Sequence, residues 1–222
     1  MNSEDEVFEA VGVLADPVRR GLYRHVAATP GAVGRDAAAA AAGISRSLAA
    51  FHLDKLVEAG LLAVTYQRLS GRSGPGAGRP AKLYLRAPGE RAVSLPPRSY
   101  DAVGRLLANV VDSAGLDREL QSAARAAGAA EGAELGGEAD PVDPVAALRA
   151  RGYEPYGDGA TVRLNNCPFH SLADEFPALV CGMNLAFIEG LLPGCAGGGD
   201  WTAAMDPPPE GCCVTLSKTN DA

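Results

Sequence analysis

Cys167, Cys181, Cys195, Cys212 and Cys213 are the only cysteines of this 222-residue chain, and all lie beyond residue 166. An odd set of thiols in a chain that opens Met1-Asn2-Ser3-Glu4-Asp5, with no basic and apolar leader, makes a poor disulfide framework. Reduced thiols are expected, and thiolate sulfur suits iron–sulfur clusters and zinc. His170, in Asn166-Cys167-Pro168-Phe169-His170, adds an imidazole. These six residues are the candidate metal or redox ligands. Cys167 leads them, since it falls between an expected strand and an expected helix, whose N-terminus favours a thiolate. Each has a plainer alternative. Cys181 lies in the apolar run Leu179-Val180-Cys181-Gly182-Met183 and Cys195 in a glycine-rich loop. Cys212 and Cys213 would face opposite ways unless a strand starts or bulges between them, and His170 could simply bond at a helix terminus. Cys167 and His170 could also pair as nucleophile and base, but no orienting third group or oxyanion motif accompanies them, so no enzyme is expected.

A second constellation lies near the other end. Ile44 to Leu56 opens with small and polar residues and continues with apolar ones, as a helix entering a DNA major groove requires. Arg46 is the leading base reader, Ser45 and Ser47 suit backbone oxygens, and His52 and Lys55 suit either. The loop Gly71 to Pro80 carries Arg72 and Arg79, with Arg68 and Lys82 at its base. Such a loop between paired strands can touch phosphates or the minor groove. A bland solvated hairpin tip is the alternative; a nucleotide loop is disfavoured because Gly-Lys-Ser/Thr is absent and a strand follows. The charge is divided to match. Residues 1–91 hold 12 Lys and Arg against 9 Asp and Glu, whereas the remainder holds 8 against 18 within a net charge of −7. A basic head on an acidic body can bind phosphate and stay in solution.

The elements that position these residues follow from periodicity and caps. Helices are expected at 5–15, from Pro17 to Ala28 behind an Asp16 cap, from Arg35 to Ala42 ended by Gly43, and from Ser45 to about Gly60. In the last of these Leu48, Phe51, Leu53, Leu56 and Val57 form the expected inner face. Strands are expected at 62–69 and 81–86. The double proline before Arg98 marks a boundary, and helices at about 98–113 and 117–135 suit a dimerisation hairpin, or else pack on the C-terminal part. A small α+β domain follows: a helix at 142–151, strands near 153–156 and 161–165, helices near 170–175 and 178–191, and strands near 201–205 and 213–217. The fold class is therefore α+β, with residues 1–87 as a winged helix-turn-helix, 88–140 as linker and dimerisation helices, and 141–222 as a cysteine-containing domain.

Through Leu14-Ala15-Asp16-Pro17-Val18-Arg19, Ala49 to Leu56 and Glu58-Ala59-Gly60-Leu61-Leu62, the first 87 residues resemble the ArsR-like winged-helix regulators. The metal-binding cysteines of that family's DNA-binding domain are absent here. Thirteen residues separate Cys167 from Cys181 and Cys181 from Cys195, and sixteen precede Cys212. That spacing resembles the SufR-like regulators, and the resemblance implies four cysteines around an iron–sulfur cluster, with the last gap departing from the pattern. The expectation is a cytoplasmic, homodimeric repressor of double-stranded operator DNA, governed by an iron–sulfur cluster or zinc. The alternative is a regulator gated by a small organic ligand, with structural cysteines. No membrane partner is expected, since no run of about 18 apolar residues occurs.

Overall fold

The computed structural model describes residues 3–68, 80–137, 140–208 and 211–219. They form an α+β fold in two compact units, Met1–Pro97 and Arg98–Ala222. The helices at 98–136, expected as linker and dimerisation helices or as packing on the C-terminal part, fall within the second unit.

In the first unit α1 spans Ser3–Val13, and Asp16 caps α2, Pro17–Ala28, by accepting from the backbone N–H groups of Val18 and Arg19. Helix α3, Arg35–Ala42, stops at Gly43, whose φ of 63° is a left-handed conformation that glycine adopts without a Cβ penalty. Two residues later the Ser45 hydroxyl accepts from Leu48 N and starts α4, Arg46–Glu58. Strands β2, Leu62–Gln67, and β3, Ala81–Arg86, pair antiparallel as expected. An unexpected two-residue strand β1, Val33–Gly34, adds to the far edge of β3, giving the order β1-β3-β2. Only two residues long, β1 is too short to carry any alternation.

The inner face of α4 keeps Leu53, Leu56 and Val57 of the expected set, but not Leu48 and Phe51. Ala49, His52, Leu53 and Leu56 are buried, at the i, i+3, i+4, i+7 spacing of a single helix face. They close on Leu22, Val26, Leu62 and Tyr84, whereas Leu48 and Phe51 stand exposed. Residue type alone places Leu48 and Phe51 on the core face; the packing instead follows the phase of Leu53 and Leu56.

The second unit begins with α5, Tyr100–Ser113, and α6, Asp117–Gly136. After α7, Pro144–Ala150, come β4, Pro155–Gly157, and β5, Thr161–Leu164. Two helices follow, α8, His170–Ala173, and α9, Pro177–Leu191, and then β6, Trp201–Met205, and β7, Val214–Lys218. The four strands form one antiparallel sheet in the order β4-β5-β7-β6. Leu164, Ile188, Leu191, Val214 and Leu216 are the centre of its core.

Helix α9 and the turn after it, Pro177–Gly194, are long and apolar enough to cross a membrane by length and composition. Half of that stretch is buried within the protein, as befits the central helix of a domain. Its closest neighbour is α6. A Cβ added at Gly128, Gly132 or Gly136 would meet the carbonyl oxygens of Phe187, Leu191 or Gly194 at 2.1, 2.5 and 2.5 Å. These glycines, four residues apart on one stripe of α6, let the two backbones touch.

Candidate nucleic-acid interface and thiol cluster

Capping and core packing together decide what α4 presents to solvent. With Leu53 and Leu56 held in the core, Ser47, Phe51 and Lys55 fall on the outer side at four-residue spacing. Ser45 is exposed, and its hydroxyl is engaged as the helix cap. Arg46 stands in the first turn with its side chain 68% exposed, and its Nε lies 3.1 Å from an Asp36 carboxylate oxygen. Lys55 is partly exposed and bonds Glu58 at 2.6 Å. His52 is corrected: it is 8% exposed, faces the core, and its buried Nδ1 has no hydrogen-bond partner among the described residues. It does not reach a groove. Phe51, expected inside, takes the outward place beside it and meets the His52 ring edge-on at 5.3 Å between centroids.

At the base of the hairpin Arg68 is exposed. Arg72 and Arg79 lie outside the described residues. Lys82 departs from its expected role as a loose phosphate contact, for its ammonium bonds Asp54 of α4 at 2.6 Å and is only 23% exposed. The Tyr84 hydroxyl donates to the same Asp54 oxygen at 2.7 Å and accepts from Arg35 Nε at 3.3 Å. Burial pushes the Asp54 carboxyl up, but the bonds from Lys82 and Tyr84 outweigh it and hold the group below the usual carboxylate range. The Asp54 bond holds Lys82 above the usual lysine value, against the pull of burial. The network Arg35–Tyr84–Asp54–Lys82 thus ties α3, β3 and α4 together. Alternation along β3 placed Leu83 and Leu85 in sequence; nothing there announced a polar tie through Tyr84.

The thiols in the second unit gather in two pairs. Cys167, in the β5–α8 connection, neighbours Cys212, and Cys181, on α9, lies 2.8 Å from Cys213 sulfur to sulfur. Strand β7 begins at Val214, just after Cys213, so the adjacent cysteines are not yet in strand conformation and both reach the cluster. The neighbouring Cys212 thiol holds Cys167 down to about 7, against burial, and the backbone N–H of Phe169 adds to it. Cys212 is driven well up, by the neighbouring Cys167 and then by burial. Burial and then the Cys213 contact push Cys181 up to about 12.

A buried polar pair that the sequence did not announce backs this arrangement. Asn184, three residues beyond Cys181 on α9 and 1% exposed, donates through Nδ2 to the Cys212 sulfur at 3.3 Å. Its carbonyl oxygen accepts from the buried Tyr153 hydroxyl, which desolvation keeps protonated.

Two expected ligands stand apart. Cys195 is buried in the core beside Leu191 and Leu192, and its thiol donates to the Leu191 carbonyl at 3.6 Å. His170 is on the surface with its Nδ1 3.6 Å from Asp174, one helical turn on. By type, the remaining four sulfurs fit a thiophilic metal or cluster. By arrangement they form two pairs, and among the described residues no group of three or more Cys, His, Asp or Glu is gathered as an ion requires.

Compared with known families, residues 14–65 match a helix-turn-helix domain, a span covering α2, α3, α4 and the start of β2. Neither curated proteins nor solved structures yield a match to the chain.

Proposed function

We propose that this chain is a DNA-binding transcriptional regulator, a repressor in which α4 reads the major groove, the β2–β3 hairpin grips the flanking backbone, and the C-terminal thiols set DNA affinity. The observation that carries the DNA-binding part is the coincidence of the matched helix-turn-helix span with an exposed, cation-tipped α4. Arg46 and Ser47 meet base edges or phosphates where the helix enters the groove, and Lys55 meets the backbone further along. Arg68, Arg72 and Arg79 supply salt-sensitive affinity through the hairpin. Phe51 supplies what the polar residues cannot, an apolar face of the kind that packs on a thymine methyl group.

The sensory part rests on the convergence of Cys167, Cys181, Cys212 and Cys213 from three chain segments. When bound, an iron–sulfur cluster would supply redox- or cluster-dependent charge at these sulfurs, and zinc is the alternative occupant. The chain's own part is to hold soft donors in a half-buried nest, with Asn184 donating to Cys212. A route outward exists within the same unit. Three residues after Cys167, α8 begins, and an Arg105–Glu175 ion pair joins this region to α5, where a Cβ added at Gly104 would meet the Leu172 side chain. On α5 the stripe Tyr100, Val103, Leu106, Leu107 and Val110 is exposed, with Tyr100 at 76% and Leu106 at 69%. That stripe is the proposed homodimer seam, as two half-sites require. The functional setting of such a regulator is the cytoplasm, where DNA is reached.

Anaerobic purification followed by iron, acid-labile sulfide and zinc assays tests the sensory part. Stoichiometric iron and sulfide, lost in Cys167→Ser and Cys181→Ser but retained in Cys195→Ser, supports it. Metal-free protein whose DNA affinity ignores thiol state would favour gating by an organic ligand.

A further inference from the structure

A cleft of ≈ 370 Å³ opens between the first turn of α3, the first turn of α4 and the hairpin. Arg35, Arg46 and Lys82 line it, with Asp36 as its acidic wall residue and Tyr66 contributing an exposed phenol. With Asp36 set against Arg46 and Asp54 against Lys82, the cleft keeps one cation in excess, Arg35, and so favours an anion. Its position, beside the proposed groove-reading helix and under the hairpin, specifies an anion on a polymer lying across both. We infer that this cleft is a clamp for one DNA backbone phosphodiester, with Arg35 as its fixed jaw and Arg46 as its mobile one. The inference rests on the DNA-binding reading above and assigns Arg46 to the backbone, with Arg35 as a contact that no motif pointed to.

The two jaws differ in how they are held. Arg35 is half-buried, and its Nε is anchored on the Tyr84 hydroxyl, which is itself fixed by donating to Asp54. Among the described residues its Nη groups have no other partner, so the planar fork keeps donors for a phosphate oxygen in a set orientation. Arg46 is instead bonded to Asp36 where both side chains are largely exposed, at 68% and 76%. A pair that open to water adds little stability and is readily exchanged. An arriving phosphodiester replaces the Asp36 carboxylate as the acceptor for Arg46, so Asp36 is a competitor that holds the jaw back in the free protein. The first turn of α3 contributes as well, because its N-cap, Gly34, has no side chain to occupy the open backbone N–H groups. Lys82 adds field rather than a contact, since Asp54 already holds its ammonium.

The test measures binding of the full chain to a mixed-sequence duplex DNA by fluorescence anisotropy across a salt series. Arg35→Ala is expected to weaken binding to all sequences alike and to reduce the magnitude of the log K against log salt slope by about 1. Arg35→Lys restores the slope with incomplete affinity, because charge returns without the fork. Tyr84→Phe keeps the slope and weakens binding, as the jaw loses its anchor while its charge remains. Asp36→Asn tightens binding. Thermal unfolding of each variant separates loss of clamp from loss of fold. Inorganic phosphate at matched ionic strength leaves the duplex bound; displacement by it would make the cleft a free-anion pocket and overturn the clamp. Wild-type binding with a clear salt slope that Arg35→Ala leaves intact also overturns the clamp and spares the DNA-binding reading. A wild-type chain with no salt-dependent binding to any duplex defeats that reading itself.

Discussion

One turn of α4 shows how much a single residue's phase decides. His52 and Phe51 are neighbours, and by composition the phenylalanine belongs inside and the imidazole outside; the structure reverses them. Ala49, Leu53 and Leu56 fix the buried side of the helix, and His52 shares it at three-residue spacing from Ala49. Phe51→Ala is therefore expected to leave the melting temperature nearly unchanged while lowering discrimination between operator and mixed-sequence DNA. Anisotropy with duplexes in which deoxyuridine replaces thymidine provides the check: removing the methyl groups should cost the wild type affinity and cost the variant little. At the thiols the prediction concerns pH. In reduced, metal-free protein Cys167 is held down to about 7, so its thiolate fills as pH rises through that value, whereas Cys181 stays protonated until about 12. Iodoacetamide labelling followed by peptide mass analysis should find Cys167 modified first, at a rate climbing between about pH 6 and 8. Cys195, buried and pushed up, should label last or only on unfolding.

Among the elements, those set by local chemistry were the legible ones. Asp16-Pro17 starts α2, Gly43 ends α3 and Ser45 starts α4, each by a bond or backbone conformation that one residue type favours. What sequence did not show depends on contacts distant along the chain. Strand β1 exists because β3 has a free edge, and the Arg35–Tyr84–Asp54–Lys82 tie exists because α3 and α4 converge on β3. That tie should contribute modestly to stability. Asp54, held low, contributes fully above the unfolded carboxylate pKa of about 4 and loses its share as pH falls through its lower folded value. Lys82, held high, contributes fully below about 10.4 and loses its share as pH rises through its higher folded value. Across neutral pH its contribution is flat, and Asp54→Asn should cost about 1 kcal/mol in denaturant unfolding, since partial exposure screens the pair. The α6–α9 contact is less forgiving. Gly132→Ala puts a methyl group against the Leu191 carbonyl backbone, which cannot swing away as a flexible side chain would. It should lower stability by about 1–3 kcal/mol.

At the scale of the whole molecule, charge and chemistry are segregated along the chain. Cations favour the part that holds the helix-turn-helix, and all five cysteines lie in the acidic remainder. A basic part and a thiol part were legible from this division, and the Ile44–Leu56 pattern with the arginine-bearing loop pointed the basic part to DNA. Which thiols meet was not, because thirteen-residue spacing counts Cys195 in, whereas the fold buries it beside Leu191 and gathers Cys212 and Cys213 together at the start of β7. Self-association belongs to this scale as well. Leu106→Glu combined with Val110→Glu should convert a dimer to a monomer by sedimentation equilibrium and weaken operator binding while leaving each unit folded. An unchanged dimer would move the seam away from α5.

In the proposed function α4 and the hairpin engage duplex DNA as one cationic surface. The most direct measurement is the salt dependence of operator affinity for the triple variant Arg46→Ala, Arg72→Ala, Arg79→Ala. The predicted result is a uniform loss of affinity with a slope shallower by about 3, close to 0.9 for each phosphate contact removed. An affinity and slope equal to those of the wild type would contradict the account.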